Sequence, residues 1–273
     1  MKKYPFLSLI LLFALSMSLL PASAVVPGQE DLDLFCTHAV LLDANHGEIL
    51  YDMRATEKAY PASITKIMTA LLVLEAIEYG QLSLDTPITA GETRMQGVTY
   101  SYVNGNIKLG EVLTAEELLY MTLLPSYADA CNILAVAVDG TIEDFVDHMN
   151  RKAAELGCQN THFTNPVGIH NENHYSTPYD LALIMKACLE YDTFLRIAQT
   201  PKYTLRATEM SGPREMYNSN ALVSTWNHSG YLYEKCIGGK TGNTDEAGRC
   251  LVSAAEDGDE LLISVVLGSG PMQ

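Results

Sequence analysis

A serine and a lysine three positions apart could act as a nucleophile and its base. Ser63 and Lys66 lie in the segment 61–66 (PASITK), where an apolar run over 64–79 begins. That run predicts a helix buried on most sides, and side chains three positions apart share one helix face. Serine needs an adjacent base, and lysine can serve once burial or positive charge lowers its pKa. Free backbone N–H groups in the first turn could stabilise an oxyanion.

Two further short patterns follow in the chain. Ser126 precedes an apolar, helix-like stretch, and residues 240–242 read Lys-Thr-Gly. Each pattern has an ordinary structural alternative: an N-cap serine for Ser63 and Ser126, and a solvated side chain for Lys66 and Lys240. Together, in this order and in a strand–helix–strand frame, the three patterns favour acyl transfer at a serine.

The elements that must position these residues change in type along the chain. Residues 39–51 read as strand, turn and strand. Capping patterns predict helices that begin after Thr114, Thr141 and Thr177. The last third predicts three strands, over 231–238, 247–255 and 260–267. Strands at both ends with helices between them predict an α/β fold, in which an antiparallel sheet built from both chain ends is flanked by helices and carries an inserted, mostly helical lobe.

The N-terminus has the pattern of a secretory signal. Two lysines precede the apolar run 7–20, and residues 22–24 (ASA) form a small-x-small cleavage site. We therefore expect a signal peptide over 1–24, a leader over 25–34 and one domain over 35–273. No later apolar segment is long enough to predict a membrane span in the mature chain. The formal net charge of −16 argues against nucleic acid and anionic lipid as partners.

The six cysteines are scattered, with no Cys-x-x-Cys pair, so we expect no zinc site. Cys236 and Cys250 flank a predicted hairpin centred near Asn243. Strands paired about that centre could bring the two thiols to bridging distance. A Cys236–Cys250 disulfide is therefore a hypothesis of the sequence.

Histidines and tyrosines outside the three patterns have structural and functional interpretations. His162, His170 and His174 lie in a loop without a His-Glu-x-x-His pattern, so structural hydrogen bonding is favoured over a metal site. Tyr100 and Tyr102 could line a substrate groove, although packing is the favoured role.

The sequence also resembles a known family, the penicillin-recognising serine D-alanyl-D-alanine carboxypeptidases, or low-molecular-mass penicillin-binding proteins. The resemblance covers about residues 36–268 and extends beyond the three patterns to 165–166 (NP), Gly168, 174–177 (HYST) and 239–248 (GKTGNTDEAG). It implies a β-lactamase/transpeptidase-like fold and a penicillin-binding, transpeptidase-like domain over 35–273 whose C-terminal end is incomplete. In this family a covering helix and a β-rich domain often follow.

The resemblance implies a serine acyl-transfer mechanism without metal or organic cofactor. Ser63 would attack the carbonyl between two D-alanines of a peptidoglycan stem peptide and form an acyl-enzyme. Lys66 would be the general base, and Ser126 would relay a proton to the departing D-alanine. β-Lactams would act as acylating inhibitors of the same serine.

The Lys-Thr-Gly segment would bind the substrate. The resemblance places Lys240, Thr241 and Gly242 on an edge strand beside Ser63, where Lys240 and Thr241 hold the terminal carboxylate. Lys240 would also lower the pKa of Lys66. The backbone N–H groups of Ser63 and Asn243 would form the oxyanion hole.

One residue departs from the family pattern. The second motif of the family is Ser-x-Asn, but here Ala128 stands in the third position. Its methyl group can neither accept a hydrogen bond from a lysine nor donate one to substrate. Ala128 therefore favours one alternative, a catalytically impaired peptidoglycan-binding protein of the same fold. A β-lactamase is the other, but no Glu-x-x-Leu-Asn pattern is present to position a hydrolytic water. The intact Ser63–Lys66 pair and the Lys-Thr-Gly segment favour a serine-type D-Ala-D-Ala carboxypeptidase, which the N-terminal signal pattern predicts to be exported.

Overall fold

The computed structural model describes residues 32–99 and 102–270. The predicted signal peptide falls outside this part of the chain, and the proposed domain boundaries stay predictions. The described helices and strands belong to one compact unit, Leu34–Gln273. The strands are β1 (His38–Asp43), β2 (Glu48–Met53), β3 (Pro87–Thr89), β4 (Val112–Thr114), β5 (Lys202–Leu205), β6 (Arg214–Tyr217), β7 (Cys236–Thr244), β8 (Gly248–Asp257) and β9 (Glu260–Ser269). The α-helices are α1 (Lys66–Glu78), α2 (Ala115–Leu123), α3 (Ala128–Asp139), α4 (Ile142–Glu155), α5 (Pro178–Leu189) and α6 (Asp192–Ala198).

A five-stranded antiparallel sheet joins the two ends of the described chain. Its order is β2-β1-β9-β8-β7, so β7 is an edge strand. In β9, the side chains of Ile263, Val265 and Leu267 alternate into the core, as expected of a strand with one covered face. Helix α5 lies against β9 and β1 on that face. The predicted α/β fold, with a sheet built from both chain ends, is therefore confirmed.

The helices between these strands form the rest of the core. Helix α1 is buried on most sides, with ten of its thirteen residues buried, as the apolar run predicts. The caps at Thr114, Thr141 and Thr177 are also confirmed, because each side chain accepts a hydrogen bond from a backbone N–H in the first turn. Among the described residues, no helix is both long and apolar enough to cross a lipid bilayer.

The start of the first C-terminal strand is wrong in the sequence prediction. The sequence predicts a strand from residue 231, but β7 begins at Cys236, which pairs with Ala255. Strand β8 ends two residues beyond that partner, at Asp257. The backbone carbonyl of Lys235 still accepts a hydrogen bond from the Glu256 N–H on β8, at 3.0 Å, and the side chains of Tyr231, Leu232 and Tyr233 before it are exposed.

The disulfide hypothesis is also wrong. The turn between β7 and β8 lies at 245–247, and Asn243 already pairs with Arg249 inside the ladder. Cys250 lies opposite Gly242, six positions along β7 from Cys236. Six strand residues span roughly 20 Å, whereas the Cα atoms of a disulfide lie within about 7 Å. All six cysteines have free thiols.

Candidate active site

Ser63 and Lys66 meet because the chain between them forms a short 3₁₀ turn. Residues Ala62–Thr65 form this turn, and α1 begins at Lys66. Side chains three positions apart are eclipsed in a 3₁₀ helix. Lys66 Nζ accordingly lies 2.7 Å from Ser63 Oγ. The N-cap alternative for Ser63 is wrong, since the caps of the turn and of α1 are Pro61 and Thr65.

The Lys66 side chain is removed from solvent, so the solvated alternative is wrong. Only 1% of its surface is exposed. Its Nζ donates a hydrogen bond to the backbone carbonyl oxygen of Val167, at 2.8 Å. Burial lowers the pKa of Lys66 to about 8, with a smaller opposing effect from the Cys131 thiol on α3. A useful fraction of Lys66 is therefore neutral near physiological pH, as a general base requires.

One cleft brings the three sequence patterns together. It has a volume of about 670 Å³, and its lining includes Ser63, Lys66, Ser126, Thr241, Gly242 and Asn243. Lys240 is buried beside it, with Nζ 2.9 Å from the carbonyl oxygen of Thr241, so it too is not a solvated lysine. Segments that are up to 180 residues apart in sequence thus meet at one site.

The two buried lysines lie close enough for their positive charges to interact. Burial, and then the positive charge of Lys66, hold the pKa of Lys240 well below its ordinary value. Burial is the main cause of the lowered pKa of Lys66, and the expected contribution of Lys240 to it stays a prediction.

Ser126 lies in a strained loop between α2 and α3. Its φ of +70° is uncommon for a residue with a side chain. The Oγ atom is buried and has no hydrogen-bond partner among the described residues. The N-cap of α3 is Tyr127, so the capping alternative for Ser126 is wrong. A strained serine with an unused hydroxyl on a cleft wall is typical of a functional residue.

The backbone at Ser63 is held between two glycines. A Cβ atom at Gly242 on β7 would lie 3.1 Å from the Ser63 nitrogen, and one at Gly168 would lie 1.9 Å from the Ala62 carbonyl oxygen. Ala62 itself has a φ of +47°. Because both glycines lack a Cβ, the edge strand and the 165–169 loop can approach the nucleophile closely.

Ala128 lies in an apolar environment where the family has an amide. Its side chain is buried with those of Cys131 and Val167. The neighbouring Asp129 does not replace the missing amide, because its carboxylate accepts hydrogen bonds from the backbone N–H groups of Gly105 and Ile107.

The cleft also contains residues that the sequence patterns do not predict. Ser219 Oγ lies 2.5 Å from Thr241 Oγ1. On the rim, Tyr217 and Trp226 stack with ring centroids 3.8 Å apart, and Trp226 is 60% exposed. Nothing in the sequence singles out these residues, because the tertiary placement of β6 and of the loop after it brings them to the cleft. Tyr102 also lines the cleft rather than only packing, whereas Tyr100 lies outside the described residues.

His162 and His174 form the structural hydrogen bonds predicted for the loop histidines, whereas the buried Nδ1 of His170 has no hydrogen-bond partner among the described residues. His174 is buried, with Nδ1 accepting from the Thr164 N–H at 3.0 Å and Nε2 2.8 Å from Thr65 Oγ1. Burial, with the nearby positive charges of His162, His170 and Lys66, lowers its pKa to about 3. Within the ranges 32–99 and 102–270, no group of three or more His, Cys, Asp or Glu side chains could hold a metal ion.

This fold is that of the DD-transpeptidases and DD-carboxypeptidases. The crystal structure of the Streptomyces K15 DD-transpeptidase superposes with a TM-score of 0.77 and 31% identity, covering 87% of this chain and 91% of that one. A D-alanyl-D-alanine carboxypeptidase from Mycobacterium tuberculosis superposes with a TM-score of 0.75 and 28% identity, covering 87% and 84%.

The sequence comparison defines the family. The peptidase S11 family, described as D-alanyl-D-alanine carboxypeptidase, matches residues 25–270. The chain therefore belongs to the D-alanyl-D-alanine carboxypeptidase family. D-alanyl-D-alanine carboxypeptidase DacF of Bacillus subtilis is 34% identical over 232 residues, which are 85% of this chain and 57% of DacF. The carboxypeptidase of Streptomyces sp. K15 is 34% identical over 238 residues, 82% and 77% of the two chains. The chain thus spans little more than half the length of DacF.

Proposed function

We propose that the protein is an exported serine peptidase that removes the terminal D-alanine from peptidoglycan stem peptides. The single observation that carries this proposal is the 2.7 Å approach of Lys66 Nζ to Ser63 Oγ inside the cleft. A buried amine with a pKa of about 8 can accept the serine proton, and a solvated lysine cannot do so at neutral pH. Membership of the carboxypeptidase family supports the choice of a D-Ala-D-Ala substrate.

The reaction begins with acylation of Ser63. Neutral Lys66 takes the hydroxyl proton while Ser63 Oγ bonds to the carbonyl carbon between the two D-alanines. The backbone N–H groups of Ser63 and Asn243 stabilise the oxyanion, and Lys240 with Thr241 holds the terminal carboxylate. As the C–N bond breaks, the proton passes through Ser126 to the departing D-alanine amine.

Water completes the cycle. It attacks the acyl-enzyme carbonyl and loses a proton to Lys66, while Ser63 Oγ regains a proton as the shortened peptide leaves. No metal or organic cofactor is needed for either step. A β-lactam would acylate Ser63 in the same way, but its opened ring stays attached to the carbonyl carbon.

The place of action follows from the substrate and the N-terminal pattern. A signal peptide over 1–24 would direct the mature protein across the membrane, where peptidoglycan lies. We therefore assign the protein to the cell envelope or the extracellular space.

A non-catalytic relative is the second candidate, and a specific observation favours it. The apolar surroundings of Ala128 leave Lys66 without the amide partner that the family pattern provides. A protein of this kind would still bind stem peptides but would turn them over slowly or not at all. No comparable observation favours a β-lactamase.

Release of free D-alanine tests the proposal. Wild type should release D-alanine from a pentapeptide that ends in D-Ala-D-Ala, and Ser63→Ala should not. A matched pentapeptide ending in D-Ala-L-Ala controls for other peptidases. Binding of the peptide without D-alanine release would instead support the non-catalytic candidate.

A further inference from the structure

Lys66 has an acceptor that the three sequence patterns do not include. Its Nζ bonds to the Val167 carbonyl oxygen at 2.8 Å and lies 2.7 Å from Ser63 Oγ. A neutral amine has two N–H groups and one lone pair. If the lone pair faces the Ser63 hydroxyl, one N–H is satisfied by Val167. The position of this carbonyl therefore decides where the base lies relative to the nucleophile.

The Val167 carbonyl is fixed by one side chain. Asn165 Oδ1 accepts from the backbone N–H groups of Val167, Gly168 and Ile169, at 3.1, 2.8 and 3.0 Å. Asn165 Nδ2 donates back to the Ile169 carbonyl at 2.9 Å. One amide side chain thus closes both ends of a tight turn and leaves the Val167 carbonyl oxygen directed at Lys66.

The turn is also pressed against the nucleophile segment. Thr69 Oγ1 on α1 donates to the Pro166 carbonyl at 2.6 Å. Gly168 lies so close to Ala62 that a Cβ atom would meet its carbonyl oxygen at 1.9 Å. The turn that holds Val167 is therefore in contact with the residues on both sides of Ser63.

We propose that Asn165 is a positioning residue that holds Lys66 against Ser63 through the Val167 carbonyl, an anchor that this chain keeps although the side chain of Ala128 cannot provide one. This inference rests on the proposed function. Ala128 lies on α3 and Asn165 on a separate loop, yet the side chains of Ala128 and Val167 share one apolar cluster. An amide at position 128 would thus lie beside the present anchor and could supply a second one.

The missing amide also has a predictable effect on protonation. The ammonium form of Lys66 has three N–H groups and finds acceptors in Ser63 and Val167, whereas an amide oxygen at 128 would offer a third. A hydrogen bond to the charged form raises the pKa of a lysine. The other titratable groups that act on Lys66, or that its charge acts on, are Cys131 on α3, Lys240 on β7 and His174 in the loop.

The test compares single and double variants by their rates of acylation with a fluorescent penicillin across pH. Asn165→Ala should lower the high-pH plateau by roughly ten- to hundredfold, since the Val167 carbonyl is no longer fixed and its hydrogen bond to the base is lost. Ala128→Asn alone should move the midpoint of the pH profile upward. In the double variant, Ala128→Asn should recover at least about tenfold of the plateau lost by Asn165→Ala.

Asn150→Ala is the matched control. The Asn150 side chain clamps Phe163, just before the same loop, through two hydrogen bonds and does not contact Val167. The Asn150→Ala variant should keep its high-pH acylation rate within about twofold of wild type. That change is well below the rate loss expected when a hydrogen bond to a charged group is removed. If Asn150→Ala and Asn165→Ala lose equal activity and Ala128→Asn rescues neither, Asn165 is only a structural residue and the proposal is overturned.

A conservative variant covers the case in which Asn165→Ala does not fold. Asn165→Asp loses the bond from Nδ2 to the Ile169 carbonyl but keeps an oxygen for the three amides, and it should stay within about fivefold of wild type on its high-pH plateau because those amides still hold the Val167 carbonyl. A plateau as low as that of Ser63→Ala in folded protein would contradict the proposal. Failure of the wild type to acylate would instead contradict the proposed function, so the two failures are distinguishable.

Discussion

At the residue scale, the lowered pKa of Lys66 predicts how acylation depends on pH. The base must be neutral, and the neutral fraction rises with pH through the pKa of about 8. The second-order acylation rate should therefore rise about tenfold for each pH unit well below that value and level off above it. Stopped-flow measurement with a chromogenic cephalosporin between pH 6 and pH 10 would show the profile.

A lysine that cannot become neutral is the control for this profile. Lys66→Arg keeps a positive charge at every pH in the range, because the guanidinium does not deprotonate in proteins. It should be slow throughout and show no midpoint near pH 8. A wild-type profile that is flat, or that falls as pH rises, would exclude Lys66 as the base.

Much of the residue chemistry could be predicted from the sequence, but one contact could not. The spacing of Ser63 and Lys66 predicts their shared face, and the 3₁₀ turn brings them together. The acceptor of the Lys66 hydrogen bond is the backbone carbonyl oxygen of Val167, so the type of side chain at position 167 does not predict the bond. Only the folded turn around Asn165 directs it into the site.

At the element scale, close approach of the 165–169 loop to the nucleophile predicts a large effect at Gly168. Gly168→Ala would place a methyl group 1.9 Å from the Ala62 carbonyl oxygen, in a residue whose φ is +88°. We expect it to lower the free energy of unfolding by at least about 3 kcal/mol and to abolish acylation. Urea unfolding and penicillin labelling measure the two effects.

The control variant Gly157→Ala distinguishes the effect of backbone strain from the effect of the steric clash between a methyl group at position 168 and the Ala62 carbonyl oxygen. Gly157 has a similar φ of +85°, but no atom lies within 4 Å of its added methyl group. It should cost only about 1–2 kcal/mol, the usual penalty for a left-handed residue with a side chain, and should keep acylation. Equal losses in the two variants would show that the loop does not need its close contact with Ala62.

Element boundaries show which local signals decide structure. Threonine caps correctly predict the starts of three helices, because capping uses only side chains and N–H groups within one turn. The start of β7 and the Cys236–Cys250 pairing were wrong because both depend on register. Register depends on where the turn at 245–247 forms and where β8 ends, and a short apolar run specifies neither.

At the scale of the whole molecule, buried His174 predicts loss of stability in acid. Its pKa is about 3 in the folded protein, below the ordinary value of 6.5. The unfolded chain therefore binds the proton more readily. The contribution of His174 to the free energy of unfolding is fully present above about pH 6.5 and decreases as pH falls toward 3. At pH 5 it is smaller by about 2 kcal/mol. Urea unfolding at several pH values would measure this slope.

Two variants test whether His174 causes the fall of the free energy of unfolding with decreasing pH. His174→Gln removes the titrating ring and should flatten the fall in stability between about pH 6.5 and pH 5. His228→Gln changes an exposed histidine outside the buried loop and should leave the slope as it is. Parallel curves for wild type and His174→Gln would mean that acid stability has another origin.

The architecture was predictable in outline because both ends of the chain have strand patterns and the middle has helix patterns. The residues that line the cleft were less predictable from the sequence. Thr241 and Ser219 meet across 22 residues, and Trp226 reaches the rim through a loop without regular structure. Such contacts depend on the packing of the complete fold, and no local pattern encodes them.

The central claim is that Ser63, activated by Lys66, forms the acyl-enzyme. The most direct measurement is mass spectrometry of the intact protein after reaction with benzylpenicillin, followed by peptide mapping of the adduct. We predict one added penicilloyl group, located on Ser63 and absent from both Ser63→Ala and Lys66→Arg. A folded wild type that gains no adduct, or an adduct mapped to Ser126 or another residue, would contradict the account.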